Sequence, residues 1–150
     1  MRIYPAVCIV LLLSSAEALA ARSATRSATW PASDNAEVVG TWEGESKCTV
    51  PNSPCRDEHV VYRIAAKKDN PATLTIDADK IVDGSAQFMG SLDCEYRANR
   101  SILSCTAHTP KQDDWEFQVS GEAMTGTLKL GVEKTLYRRV TLRKTHAKEK

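Results

Sequence analysis

Apolar residues recur at every second position over most of the chain, and this alternation constrains the fold more than any other feature. Val60, Tyr62 and Ile64 alternate with His59, Val61 and Arg63. Leu74 and Ile76 alternate with Thr73, Thr75 and Asp77, and Trp115, Phe117 and Val119 with Glu116 and Gln118. Met124, Gly126, Leu128 and Leu130 share one parity, and Leu136, Val140 and Leu142 another. A period of two gives a strand one buried face and one wet face. Beyond the N-terminal segment no stretch carries a helical period.

Turn-forming pairs punctuate these runs. Asn70-Pro71, Asp83-Gly84, Ser120-Gly121 and Gly131 fall where the chain must reverse. The implied strands lie at roughly 38–48, 58–67, 72–78, 85–90, 91–97, 102–108, 114–120, 123–130 and 134–144, with neighbours free to merge. Short connections predict antiparallel neighbours, hence a meander. Eight or nine such strands leave no bare edge if they close. The expected fold is therefore all-β, an antiparallel meander closing into an eight- to nine-stranded barrel; a two-sheet sandwich is the alternative.

Ahead of these strands stand a basic Met1-Arg2, an apolar run Ala6–Leu13 and a small-residue motif Ala18-Leu19-Ala20. This is the layout of a cleavable signal peptide over 1–20, with the cut before Ala21, and it predicts a periplasmic or secreted product. The apolar run is short of the roughly 20 residues needed to span a bilayer. Residues 21–36 lack periodicity and read as a flexible leader, in which Trp30 stands out. The barrel domain is expected over 37–145, with a disordered tail at 146–150. The net charge of the 150 residues is +1, which gives no reason to expect a nucleic-acid partner.

Four cysteines follow the signal, Cys48, Cys55, Cys94 and Cys105. An even number in an exported chain points to disulfides. A two-residue turn at Asn99-Arg100 sets Cys94 opposite Cys105, Leu92 opposite Ala107 and Tyr96 opposite Leu103, so register and bridge agree. Cys48–Cys55 follows by exclusion and closes a loop stiffened by Pro51 and Pro54. Zinc knuckles space their cysteines more tightly, so no metal is expected. No cofactor is expected either.

No nucleophile elbow, metalloprotease motif or phosphate loop is present. Asp57-Glu58-His59 and Asp113-Asp114 group acidic and basic side chains, but strand neighbours point to opposite faces and do not form catalytic pairs. The expectation is a protein that is not an enzyme. Arg138 lies on the inward parity of the last strand, between Leu136 and Val140. It can be a structural arginine stacked on an aromatic ring or a clamp for a ligand carboxylate.

Gly40-Thr41-Trp42 at the head of the first strand resembles the Gly-x-Trp signature of lipocalins. Gly40-Thr41-Trp42-Glu43-Gly44 together with Met124-Thr125-Gly126-Thr127-Leu128 is similar to small secreted bacterial lipocalin-like proteins. The resemblance implies a calycin-type barrel in which Gly40 and Trp42 are structural. It also implies that an arginine of the last strand, Arg138, or else Arg139 or Arg143, packs across Trp42. A carrier of one small hydrophobic or amphipathic ligand follows, with Tyr62, Ile76, Phe88, Trp115, Phe117 and Arg138 around it. The competing expectation is a solid-core interaction or inhibitor protein that meets its partner through the loop Cys48 to Cys55.

Overall fold

The computed structural model describes residues 35–107 and 113–146. The expected signal peptide, most of the expected leader with Trp30, and all but the first residue of the expected tail lie outside that range. Eight strands follow one another: β1 Gly40–Cys48, β2 Glu58–Ala66, β3 Thr73–Val82, β4 Ser85–Arg97, β5 Ile102–Ala107, β6 Asp113–Ser120, β7 Ala123–Leu130 and β8 Thr135–Thr145. Each pairs antiparallel with the next, and β8 pairs with β1, so the meander closes into a barrel. The two segments expected at 85–90 and 91–97 merge into β4, which accounts for eight strands rather than nine.

The hairpin register expected from the cysteines holds. Leu92, Cys94 and Tyr96 stand opposite Ala107, Cys105 and Leu103. The turn is longer than two residues: Ala98–Arg100 form a single 3-10 turn and Ser101 takes a left-handed conformation. Both disulfides are formed, Cys94–Cys105 with Cα atoms 4.0 Å apart and Cys48–Cys55 with 6.0 Å.

The inward parity of every strand contributes to one apolar core. Trp42, Val60, Leu74, Ile76, Leu103 and Phe117 are wholly buried, and Met124, Val140 and Leu142 nearly so. Residues Asn35–Val38 form a turn that tucks Val38 into this core. The Asn35 side chain donates to the Pro71 carbonyl, so the end of the expected leader is already tied to the domain.

The barrel has two unlike ends. At one, the tryptophan end, the Trp42 indole N–H donates to the Val38 carbonyl at 2.8 Å. At the other, the stapled end, lie the bridged loop between β1 and β2, the β3–β4 tip and the β7–β8 turn.

The expected contact between Arg138 and Trp42 is not made. In the β1–β8 ladder Trp42 faces Lys144, whereas Arg138 faces Cys48, six residues further along β1. Arg138 therefore belongs to the stapled end, about 20 Å from the tryptophan. Lys144 takes the place over the indole, its ammonium 5.5 Å from the ring centroid. The same ammonium donates to the carbonyl of Glu37 at 2.8 Å. Gly40 fits this end for two reasons: its φ is +132°, and a Cβ there would crowd the Lys144 side chain.

Candidate binding surfaces of the barrel

Five of the six side chains expected around a ligand do point into the barrel or its rim. Tyr62, Ile76, Phe117 and Arg138 lie on inward parities, and Trp115 packs against the core from the same side. Phe88 does not. A bulge in β4 pairs Ala78 with Gly90 but Asp79 with Phe88, leaving Met89 as the extra residue. One added residue reverses which face each side chain takes. Phe88 thus shares the outer face with Asp79 and is 66 % exposed.

The inward aromatic residues meet one another. β2 and β6 lie four strands apart in a ring of eight, on opposite walls. Yet Tyr62 of β2 and Phe117 of β6 touch edge to face, with centroids 6.1 Å apart and planes at 86°. Trp115 stacks on Phe117 at 5.8 Å. Gly126 stands opposite Phe117 across the β6–β7 ladder, and a Cβ there would fall within the van der Waals envelope of the phenyl ring. The small residue lets the ring lie flat against the wall. The Cys94–Cys105 bridge occupies further interior volume, since both cysteines are buried.

Toward the stapled end the interior turns polar. The Arg138 side chain is 14 % exposed, and its guanidinium lies 3.0 Å from the Glu58 carboxylate. It also donates to the Ser46 hydroxyl at 3.1 Å and to the Ser46 carbonyl at 3.4 Å. These bonds satisfy a charge that would otherwise be costly to bury. The Tyr62 hydroxyl feels both charges of the pair. Burial is the main cause of its strongly raised pKa; Arg138 opposes that rise and Glu58 adds to it.

The two groups of neighbouring charges in the sequence are split by the strand. Glu58 turns inward to Arg138, while His59 turns outward. His59 sits between two carboxylates of β1, Nε2 2.8 Å from Glu43 and Nδ1 3.1 Å from Glu45. Asp57 instead caps the main chain, accepting from the Cys48 N–H at 2.8 Å. Asp113 and Asp114 divide likewise, with Asp114 paired to Lys134 on the outside. Among the described residues no group of three histidine, cysteine or acidic side chains is arranged to hold a metal ion.

Two clefts mark the outer wall. One, of about 330 Å³, is lined mainly by outward polar residues of β6, β7 and β8, including Glu116, Gln118, Thr127 and Arg139. The other, of about 490 Å³, crosses β3 to β6 beside Asp93, Glu95, Ser104 and Thr106. Neither is the apolar, enclosed space that a hydrophobic ligand needs.

The bridged loop is held at both ends and along its base. Thr49 donates its N–H to the Tyr137 carbonyl at 3.1 Å and its hydroxyl to the Leu136 carbonyl at 2.7 Å. The Ser53 hydroxyl donates to the Val50 carbonyl, and Asn52 at the tip has φ +59°. Pro51, Asn52 and Pro54 face solvent. The β7–β8 turn at the same end exposes Val132 almost fully, at 80 %. Compared with family models and with curated proteins, the chain gives no match.

Proposed function

We propose that this protein works outside the cytoplasm as a solid-barrel interaction protein, meeting a protein partner through its stapled end. The observation that carries this reading is the Tyr62–Phe117 contact, because side chains from opposite walls close the space a carried ligand would fill. A small eight-stranded barrel can fill its own interior in this way. The Arg138–Glu58 pair is consistent with it, since the arginine is already neutralised from within the chain. The loop supplies the contact surface. Its disulfide, two prolines and hydrogen bonds to β8 restrict it before any partner arrives, so little entropy is lost on docking. Export follows from the signal-like N-terminus and suits two disulfides. The closed barrel has the shape that the lipocalin resemblance implies, but the reading parts from a lipocalin's carrier role.

A photo-crosslinking amino acid placed at Asn52 or Val132 in the exporting cell tests this proposal. Both positions are expected to yield an adduct of one defined mass, and the same group at Thr127 on the outer wall is expected to yield none. Titration of the purified protein with a fluorescent fatty acid should show no saturable binding. Saturable one-to-one binding of that probe, with no adduct at either loop position, restores the carrier reading instead.

A further inference from the structure

β4 has a partner on its second side along only part of its length. Leu92–Arg97 pair with β5, whereas Ser85–Gly90 pair only with β3 among the described residues. Among the described residues the outer side of Ser85–Phe88 therefore presents main-chain groups that no ladder satisfies, which is the arrangement that invites another strand. All of Ser85–Met89 is exposed to solvent.

Proteins blunt such edges with charges, prolines or bulges. The segment Ser85-Ala86-Gln87-Phe88-Met89-Gly90 contains no charge and no proline. Its one protective device is the bulge at Met89, and Ser85–Phe88 continue beyond it in regular register with Val82–Asp79. The bulge also turns the Phe88 ring onto the outer face, beside this edge.

We propose that a second copy of this chain seats on the edge, the two β4 strands pairing antiparallel about a two-fold axis through Gln87. The segment is self-complementary in that register. Ala86 of each copy falls opposite Phe88 of the other, on one face, so a large side chain meets a small one twice. Asp83 falls opposite Ser91, and no like charges oppose each other across the edge. A net charge of +1 adds little long-range repulsion. The contact is isologous and uses the same edge on each copy, so assembly stops at two. It is also short, below the roughly 1,200 Å² of standard interfaces, and the association is accordingly weak and concentration-dependent.

Sedimentation equilibrium of the mature chain between about 10 µM and about 1 mM tests the pairing over the range where so small an interface acts. The weight-average mass is expected to rise from one copy toward two. Gln87→Glu and Gln87→Lys set like charges against each other at the axis, so each alone is expected to remain monomeric. An equal mixture of the two variants is expected to recover the dimer mass. Thr125→Lys, exposed on the outer face of β7 and off the edge, should behave as the parent. A parent that stays monomeric throughout, a dimer that survives both Gln87 variants, or a mixture that stays monomeric overturns the proposal.

Discussion

Lys144 holds its ammonium 5.5 Å from the centre of the Trp42 ring, and the two residues face each other across the strands that close the barrel. The cation thus seals the seam at the tryptophan end, while Arg138 performs a separate task at the other. Lys144→Met should remove a partly exposed cation–π contact and cost about 1 kcal/mol. Arg138→Met strands the half-buried Glu58 carboxylate and should cost more, about 2 kcal/mol. Arg139→Met, on the outer face, should change stability by less than about 0.5 kcal/mol. Urea denaturation of the three variants measures the order, and equal losses at Arg138 and Arg139 would contradict the inward placement of Arg138. Glu58→Gln in the Arg138→Met background should recover part of the loss.

Gly126 gives the interior one of its tightest constraints. A methyl group there collides with the Phe117 ring, so Gly126→Ala should destabilise the fold by about 2 kcal/mol, the usual scale of overpacking. Shortening the obstacle should relieve it. Phe117→Leu is expected to cost less in the Gly126→Ala background than alone. Additive losses in this double-mutant cycle would place the ring elsewhere.

His59 should titrate above its ordinary value of 6.5, because its hydrogen bond to Glu43, and next that to Glu45, favours the imidazolium. A raised folded-state pKa means that the cluster's contribution is complete below about pH 6.5 and fades as pH rises through the raised value. The cluster is largely exposed, so the contribution should stay under about 0.5 kcal/mol. An NMR titration of the ring protons reads the shift directly. Glu43→Gln should move the value back toward 6.5, and a parent value at or below 6.5 would refute the clamp.

Tyr62 should resist ionisation. Burial pushes its phenol well above the usual 10.0, so the folded barrel retains this proton where an unfolded chain releases it. Stability from this group is therefore constant below about pH 10 and declines at higher pH. Ultraviolet titration of the phenolate should show the Tyr62 component appearing only as the barrel unfolds. Release at pH 10 from a folded barrel would place the ring in contact with water.

Much of the architecture was legible because strand parity is a local property. Leu92, Cys94 and Tyr96 announce their partners through spacing alone, and the buried bridge fixes the hairpin. Arg138 shows the limit of that reasoning. Residues 138, 140, 142 and 144 of β8 all share the inward parity, so period two gives the face of the barrel but not the height along it. Only the long-range β1–β8 register, Trp42 against Lys144, decides which cation meets the indole. Phe88 fails for a different reason. Its even position matches Leu92 and Cys94 until a single extra residue at Met89 reverses the faces, and no local alternation marks that insertion. The stapled loop could be named from two cysteines and two prolines, whereas its anchorage to Leu136 and Tyr137 depends on barrel closure.

That closure also brings the two ends of the domain together. Thr41 pairs with Thr145, whose hydroxyl donates to the Thr41 carbonyl at 3.2 Å. Every other ladder joins strands that are neighbours in sequence, so the β1–β8 seam alone depends on chain ends meeting. Linking residue 146 to residue 35 with a short flexible peptide would make the domain's backbone continuous, and a new start could be cut at Asp83-Gly84 in the exposed β3–β4 turn. Such a circular permutant keeps every strand pair while turning the seam into an ordinary hairpin-like connection. It should therefore fold no faster than the parent, because the cut makes β3–β4 the ladder that joins the chain ends, and the long-range contact is moved rather than removed.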